Sequence, residues 1–278
     1  MLVSEVMLQQ TPVVRVLPVW EEWLRRWPTP ADLAGEPAGE AVRAWGRLGY
    51  PRRALRLHAA AVAIERNHGG TVPGTYAELL ELPGVGSYTA AAVAAFAFGR
   101  RETVVDTNIR RVHARLVSGV ALPSPSLTAA EIRLAAELMP DDVGSSVRWN
   151  AAVMELGALV CTARAPKCTE CPVHASCAWL AAGGPPPAYI PKGQAWHGTD
   201  RQVRGAVMAV LRLAETPVPA EMFQHAPADL GFGTDGTCVP LAALHGLKSA
   251  PEQLERALAG LLRDGLAELD HGGYRLPA

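Results

Sequence analysis

Lysine is nearly missing from this sequence. Its 278 residues hold three, Lys167, Lys192 and Lys248, so the first 166 residues have none. Chemistry in that stretch that needs an amine nucleophile is excluded before any motif is named. Aromatic residues are scarce at 6% while alanine is abundant, which favours helices over sheets. No run approaches the roughly 18 uninterrupted apolar residues of a membrane span, so no membrane partner is expected. The opening segment MLVSEVMLQQ carries an acid where a secretory leader carries basic charge, and the expected location is cytoplasmic and reducing. Net charge is also small, 26 basic against 27 acidic residues, so the global balance does not advertise a polyanionic partner.

What is present is an apolar fraction of 49%, enough for a core, and length for about two domains. Charge is unevenly spread. Nine arginines and five acidic residues lie between Pro51 and Arg115, whereas seven basic and ten acidic residues follow Trp196. A basic middle and an acidic tail suit a phosphate-binding face on one domain; a solvated helix surface is the plain alternative.

The first half reads as short helices. Apolar residues recur at helical spacing over 21–27, 38–48, 52–68 and 76–82, punctuated by Pro12, Pro18, Pro28, Pro51 and Pro73. Thr128 with Glu131 forms a capping-box signature for a helix over 129–139. Trp149, Ala152, Val153, Leu156 and Val160 make one stripe of another helix over 148–160. No strand pattern appears before about residue 265, so the first domain, 1–180, is expected to be all-α. Residues 181–200, with Gly183-Gly-Pro-Pro-Pro187, read as a linker. Beyond it, helices over 201–213, 219–224 and 251–262 and a hairpin over 266–276 suggest a small winged-helix-like α+β module, 201–278.

Four of the five cysteines, Cys161, Cys168, Cys171 and Cys177, fall in seventeen residues with the spacing C-x6-C-x2-C-x5-C. In a reducing compartment this points to a tetrathiolate metal site rather than disulfides. Zinc ribbons usually present two C-x2-C knuckles, and here there is one. A compact loop with four thiolates suits an iron–sulfur cube, with zinc as the alternative. Arg164 and Lys167 lie inside the loop, where a rigid cluster would hold them toward phosphates; plain solubility is the other reading. Cys238 stands alone and reads as a small buried apolar residue.

Leu82-Pro-Gly-Val-Gly-Ser-Tyr-Thr89 sits between two helical segments. A Gly-x-Gly turn (Gly84, Gly86) before a helix opened by Ser87 or Thr89 leaves backbone N–H groups free for an anion, the pattern of a helix-hairpin-helix DNA-binding element. Asp106, in Val104-Val-Asp-Thr-Asn-Ile-Arg-Arg-Val112, caps the helix that follows or, among basic neighbours, stabilises positive charge. Glu5 is a first-turn helix acid or a second catalytic candidate.

SEVMLQQT, LPGVGSYTA, VVDTNIRRV and MELGALVC with the cysteine loop, in this order over residues 1–180, resemble the helix-hairpin-helix DNA glycosylases with an iron–sulfur cluster, and within them the adenine-specific MutY type. The resemblance implies a two-lobed all-α glycosylase domain and a 4Fe–4S cofactor on Cys161, Cys168, Cys171 and Cys177. It also implies a monomeric, nucleoid-associated enzyme acting on double-stranded DNA that contains an adenine mispair. Relatives that cut the strand carry a lysine where this chain has Tyr88, so the resemblance implies a monofunctional enzyme that removes adenine opposite 8-oxoguanine or guanine. Glu5 would protonate the extruded adenine, and Asp106 would stabilise the sugar cation through a covalent intermediate, with Tyr88 and Asn108 assisting. Glu155 would contact adenine, and Gln10, Thr11, Leu48 and Tyr50 would wedge beside the lesion, although Tyr50 also suits ordinary packing. Thymine- or uracil–guanine mismatch glycosylases are the second expectation, and a cluster-bearing DNA-binding module without catalysis the third. Relatives carry about a helix's length of sequence before SEVMLQQT and many carry a C-terminal Nudix-like domain. A truncated start and a different lesion-reading device are therefore expected.

Overall fold

The structure, a computed structural model, describes residues 1–190, 193–225 and 236–278. The expected linker and C-terminal module each contain residues outside that set, 191–192 and 226–235. The described residues form two compact units. One comprises Met1–Glu5 and Pro73–Gly193; the other comprises Val6–Val72 and Gln194–Ala278.

In chain order the helices up to the cysteine loop are α1 (Leu2–Leu8), α2 (Val13–Arg26), α3 (Pro30–Ala34), α4 (Ala38–Trp45), α5 (Arg52–His68), α6 (Tyr76–Leu80), α7 (Ser87–Phe98), α8 (Thr107–Leu116), α9 (Ala129–Leu138) and α10 (Val143–Leu159). Local chemistry sets many of their ends. Thr29 and Thr128 open α3 and α9 with full capping boxes, and Asp106 and Asp142 accept from backbone N–H groups at the starts of α8 and α10. Gly69 and Gly99 close α5 and α7 in the left-handed conformation. The α2 helix begins eight residues before the expected Glu21, with Pro18 inside it. The Val14 carbonyl that Pro18 leaves without a helical donor lies in an exposed turn, where water can satisfy it.

The first unit packs around Ala91, Ala92 and Ala95 of α7, Val104, Ile109 and Val112 of α8 and its approach, and Val153 of α10. The buried face of α10 is Ser146, Asn150, Val153 and Gly157, so the expected stripe is corrected: Ala152 is exposed. Gly157 matters most. A Cβ there would lie 2.7 Å from the Asn108 Cβ and 2.8 Å from its carbonyl oxygen, so glycine lets α10 come down onto the start of α8.

In the second unit Trp23 stacks edge-on against Trp27 and Trp45. After α11 (Ala178–Ala181), which belongs to the first unit, the chain forms α12 (Asp200–Leu213), β1 (Val218–Pro219), α13 (Ala220–Gln224), helices over Cys238–Gly246 and Pro251–Arg263, and strands β2 (Glu268–Asp270) and β3 (Gly273–Arg275). The three strands form an antiparallel sheet in the order β1-β3-β2, with Val218 opposite Tyr274 and Leu269 opposite Tyr274 on the other side. The described residues have the expected small α+β character, with two corrections: β1 precedes residue 265, and a further helix lies over Cys238–Gly246. Cys238 is half-buried rather than buried. The boundary also differs from the expected 201–278 module. Arg43 donates to the carbonyls of Arg212 and Ala214, Arg212 Nε to the Val42 carbonyl at 3.2 Å, and the Gly39 amide to the Pro277 carbonyl at 2.8 Å, which makes one unit of the C-terminal residues and α4.

Candidate active site

In the first unit Glu5 lies in the first turn of α1 and Tyr88 in the first turn of α7. The Tyr88 hydroxyl donates to Glu5 Oε2 at 2.9 Å. Burial pushes the Glu5 carboxyl above the usual carboxylate range; the Tyr88 hydrogen bond and the Met1 ammonium oppose this, and the Asp106 charge adds to it. Tyr88 is pushed far above the ordinary phenol range by burial and by Glu5, so it remains a neutral donor.

Asp106 is the N-cap of α8: its Oδ1 accepts from the Ile109 amide at 2.6 Å and its Oδ2 from Asn108 Nδ2 at 2.8 Å. Asn108 Oδ1 in turn accepts from Arg111 Nη2 at 2.8 Å. Because arginine only donates, that contact fixes the amide orientation and directs the Asn108 NH2 group at Asp106. Arg111 continues to the Cys161 carbonyl at 2.7 Å and the Gly157 carbonyl at 2.6 Å. A hydrogen-bonded chain thus runs from Asp106 through Asn108 and Arg111 to the backbone of Cys161. Two acids therefore occupy different environments within one unit, the one raised by burial, the other capped and held by two donors. That separation suits a proton donor and an ionised stabiliser.

The hairpin forms as expected between α6 and α7. Val85 closes the turn onto the Leu82 carbonyl at 3.1 Å, Gly84 has φ 79°, and Leu82 and Val85 are buried. Pro83, Gly84, Gly86 and Ser87 are exposed. Gly86, rather than Ser87 or Thr89, is the N-cap of α7 and makes no side-chain cap, so the first N–H groups of the helix face outward. A Cβ at Gly86 would meet nothing within 4 Å, so the protein's own packing does not require glycine there. Glu155 is exposed on α10.

Cys161, Cys168, Cys171 and Cys177 line one small cavity together with Arg115, Lys167 and Trp179. Arg115, buried, donates to Cys161 Sγ at 3.4 Å and to the Thr162 and Ala163 carbonyls, and its guanidinium lies 4.9 Å from the Trp179 ring. Among the described residues no three His, Cys, Asp or Glu side chains converge on a single metal ion. Four soft thiolate donors around one cavity, with a cation beside the first, fit a compact anionic cluster. Arg164 and Lys167 are exposed on this loop.

The second unit brings together the other expected residues. Thr11 and Leu48 are buried, with Thr11 Oγ1 donating to the Leu48 carbonyl at 3.4 Å. Gln10 and Tyr50 are exposed, and both have left-handed backbones, φ 56° and 48°. The buried arginines were not legible as site residues. Of the nine between Pro51 and Arg115, Arg53, Arg111 and Arg115 are buried and Arg110 pairs with Glu131 at 2.9 Å. The local surplus is thus partly internal and less of a surface than the charge pattern implied.

A helix-hairpin-helix frame with two differently held acids and a four-thiolate loop defines the class. The chain belongs to the HhH-GPD superfamily of base excision DNA repair proteins, with residues 3–137 matching that family. It is 48% identical over 279 residues to an adenine DNA glycosylase of Mycobacterium tuberculosis, covering 99% of this chain and 84% of that protein. It is 43% identical over 177 residues to the human adenine DNA glycosylase, covering 63% of this chain and 32% of the human one. A thermostable thymine-DNA glycosylase is similar in structure with a TM-score of 0.57 and 30% identity, over 65% of this chain and 83% of that one. An endonuclease III trapped on DNA, at 24% identity and a TM-score of 0.58 over 66% and 84%, shares the fold.

Proposed function

We propose that this protein is a monofunctional DNA glycosylase that excises adenine mispaired opposite 8-oxoguanine or guanine, acting as a monomer on double-stranded DNA in the cytoplasm, at the nucleoid. The observation that carries the reading is the pair of acids: Glu5 held toward its protonated form beside a neutral Tyr88, and Asp106 held by the Ile109 amide and Asn108.

The hairpin amides at Gly86–Ser87 bind a backbone phosphate, and the target base leaves the stack. Glu5 gives its proton to a ring nitrogen of adenine; the C1′–N bond breaks and its electron pair leaves with the base. Asp106 neutralises the cation at C1′ by forming a bond to it. Water then attacks C1′, the Asp106 bond breaks, and the water proton passes to Glu5, restoring both acids. No lysine precedes Lys167, which is exposed on the cysteine loop beside Glu170, so the stretches that carry Glu5, Tyr88 and Asp106 hold no lysine to open the sugar. Cys161, Cys168, Cys171 and Cys177 would hold a 4Fe–4S cluster, which when bound cross-links the loop and adds a compact charge.

The test uses duplex DNA with adenine opposite 8-oxoguanine. Free adenine should be released, leaving a strand that breaks on alkali. Strand scission without alkali, trapped by borohydride, would overturn the monofunctional reading. Thymine excision from a thymine–guanine mispair is a second reading, favoured by the likeness to the thymine-DNA glycosylase; release of thymine but not adenine would establish it. Binding of the mispair without release of either base would leave a DNA-binding module.

A further inference from the structure

Arg53, at the start of α5, is a buried cation with no carboxylate paired to it among the described residues. Its side chain, 6% exposed, gathers acceptors from three separate stretches of chain. Nη1 donates to the carbonyls of Val6 (3.0 Å) and Met7 (3.4 Å) in the last turn of α1, and to that of Gln9. Nη2 donates to Thr11 Oγ1 at 3.3 Å and to the Gly49 carbonyl at 3.2 Å. Its guanidinium carbon lies 5.2 Å from the Tyr50 ring centre and 5.4 Å from that of Trp45. Trp45 Nε1 reinforces the arrangement by donating to the same Gly49 carbonyl at 2.8 Å.

The acceptors belong to backbone without a ladder of its own: a helix end, the 9–11 loop and the 46–51 turn. Each of the latter two contains an exposed residue in the left-handed region that is not glycine, Gln10 and Tyr50. Such a backbone costs of order 1–3 kcal/mol per residue and persists where the surroundings over-determine it. Burying a guanidinium is itself costly and an apolar residue of similar size would pack more cheaply. A fork of donors that satisfies several carbonyls at once is what an apolar residue cannot supply.

We propose that Arg53 is a positioning residue that presets the lesion-side wedge, holding Gln10 and Tyr50 in their strained, exposed conformations before DNA arrives. The inference rests on the reading that these two side chains meet the base opposite adenine. Preorganisation of this kind appears in discrimination between opposite bases and not in bond cleavage.

The full chain and its Arg53→Lys variant are compared on adenine opposite 8-oxoguanine and on adenine opposite an abasic site, which offers no base to read. The ratio of the two single-turnover kcat/KM values should fall about tenfold, the effect of losing one or two hydrogen bonds to a charged group. The rate opposite the abasic site should stay within about twofold. An unchanged ratio, or an equal fall on both substrates, would overturn the proposal. Arg53→Met keeps the apolar packing of the stem without its donors and serves if Arg53→Lys does not fold. It should lower the ratio at least about tenfold, and no change would overturn the proposal. If the unaltered protein releases no adenine, the proposed function fails, and the same ratio is then read from fluorescence-anisotropy affinities for mispaired and fully paired duplexes. An affinity ratio insensitive to both substitutions would overturn the role of Arg53 separately.

Discussion

At the scale of single residues, the carboxyl of Glu5 decides the pH dependence. In the proposed mechanism its proton is the one the reaction uses, so the rate should be highest below the raised Glu5 value and fall as pH rises through it. Tyr88 donates to the ionised form and so lowers the Glu5 value; Tyr88→Phe should move the falling limb to higher pH, measured by single-turnover rates across pH. Glu5→Gln should remove the limb and lower the rate on the order of 10²–10⁴-fold. Asp106→Asn is the complementary case. Asparagine caps a helix as well as aspartate does, so α8 should stay formed. Its amide would oppose the Asn108 NH2 group, which the Arg111 contact prevents from turning over. A loss of adenine release of about 10³-fold with DNA affinity within a few-fold is expected, checked by single-turnover release and anisotropy. Much of this was legible. Asp106 as a cap and Glu5 as a first-turn acid follow from position in the chain, and the Thr128–Glu131 capping box forms as its spacing predicts. The roles of Arg53, Arg111 and Arg115 were not, because charge in a sequence reads as surface. What makes these three internal is the set of carbonyls that only the folded backbone brings to them.

At the scale of elements, the roles proposed for the hairpin and the cysteine loop can be tested separately. Gly86 has an ordinary φ of −96° and open space where a Cβ would stand. Gly86→Ala should therefore change stability by less than about 1 kcal/mol, the cost of a poorer N-cap. A methyl group at the exposed start of α7 should nevertheless keep a phosphate away, and duplex affinity should fall about tenfold if one charge-assisted contact is lost. Equal affinity would remove the hairpin from the interface. Cys168→Ser should instead lower iron content and loosen the loop, leaving Glu5 and Tyr88 in place; protein that is colourless, active and loaded with zinc would contradict the cluster. Helix interiors are legible from their period, and α5 runs from Arg52 to His68 as that period predicts. Errors arise where a general rule meets an exception with a local cause. Proline ordinarily marks a helix boundary, but the carbonyl that Pro18 orphans lies near Val14, which is 82% exposed. The stripe on α10 holds for Trp149, Val153 and Leu156, which pack on the core, but it misses Ser146, Asn150 and Gly157, which hydropathy reads as neutral or polar and which also face inward.

At the scale of the whole molecule, composition suggests a linker over 181–200 but not the docking of the residues beyond it. Gly183-Gly184 and the three prolines after them interrupt the helical pattern, and nothing in a sequence period records which earlier helix the later residues will cover. In the structure the C-terminal residues cover α4. Gly39 in the first turn of that helix has no room for a side chain, since a Cβ would lie 2.4 Å from the Pro277 carbonyl oxygen, and its amide donates to that same atom. Arg212 is so far withdrawn from water that its value is pushed down to about 10, and its Nε reaches the Val42 carbonyl. Arg52 pairs with Asp264 at 3.4 Å on the other side. Removing residues 194–278 should therefore not leave a well-folded remainder. It would uncover Gly39 and Val42 on α4, strand the Arg43 guanidinium without its two carbonyls, and expose apolar surface worth roughly 25 cal/mol per Å². The expected result is a truncated protein that aggregates or melts well below the full chain in a thermal scan. Limited proteolysis of the full chain between Ala181 and Ala188 should likewise leave the two pieces associated on a sizing column. A soluble, monomeric fragment of residues 1–193 with an unchanged melting temperature would show instead that the C-terminal residues are an independent appendage. The proposed wedge on the 9–11 loop and the 46–51 turn would then owe its shape to Arg53 without support from the C-terminal half of its unit.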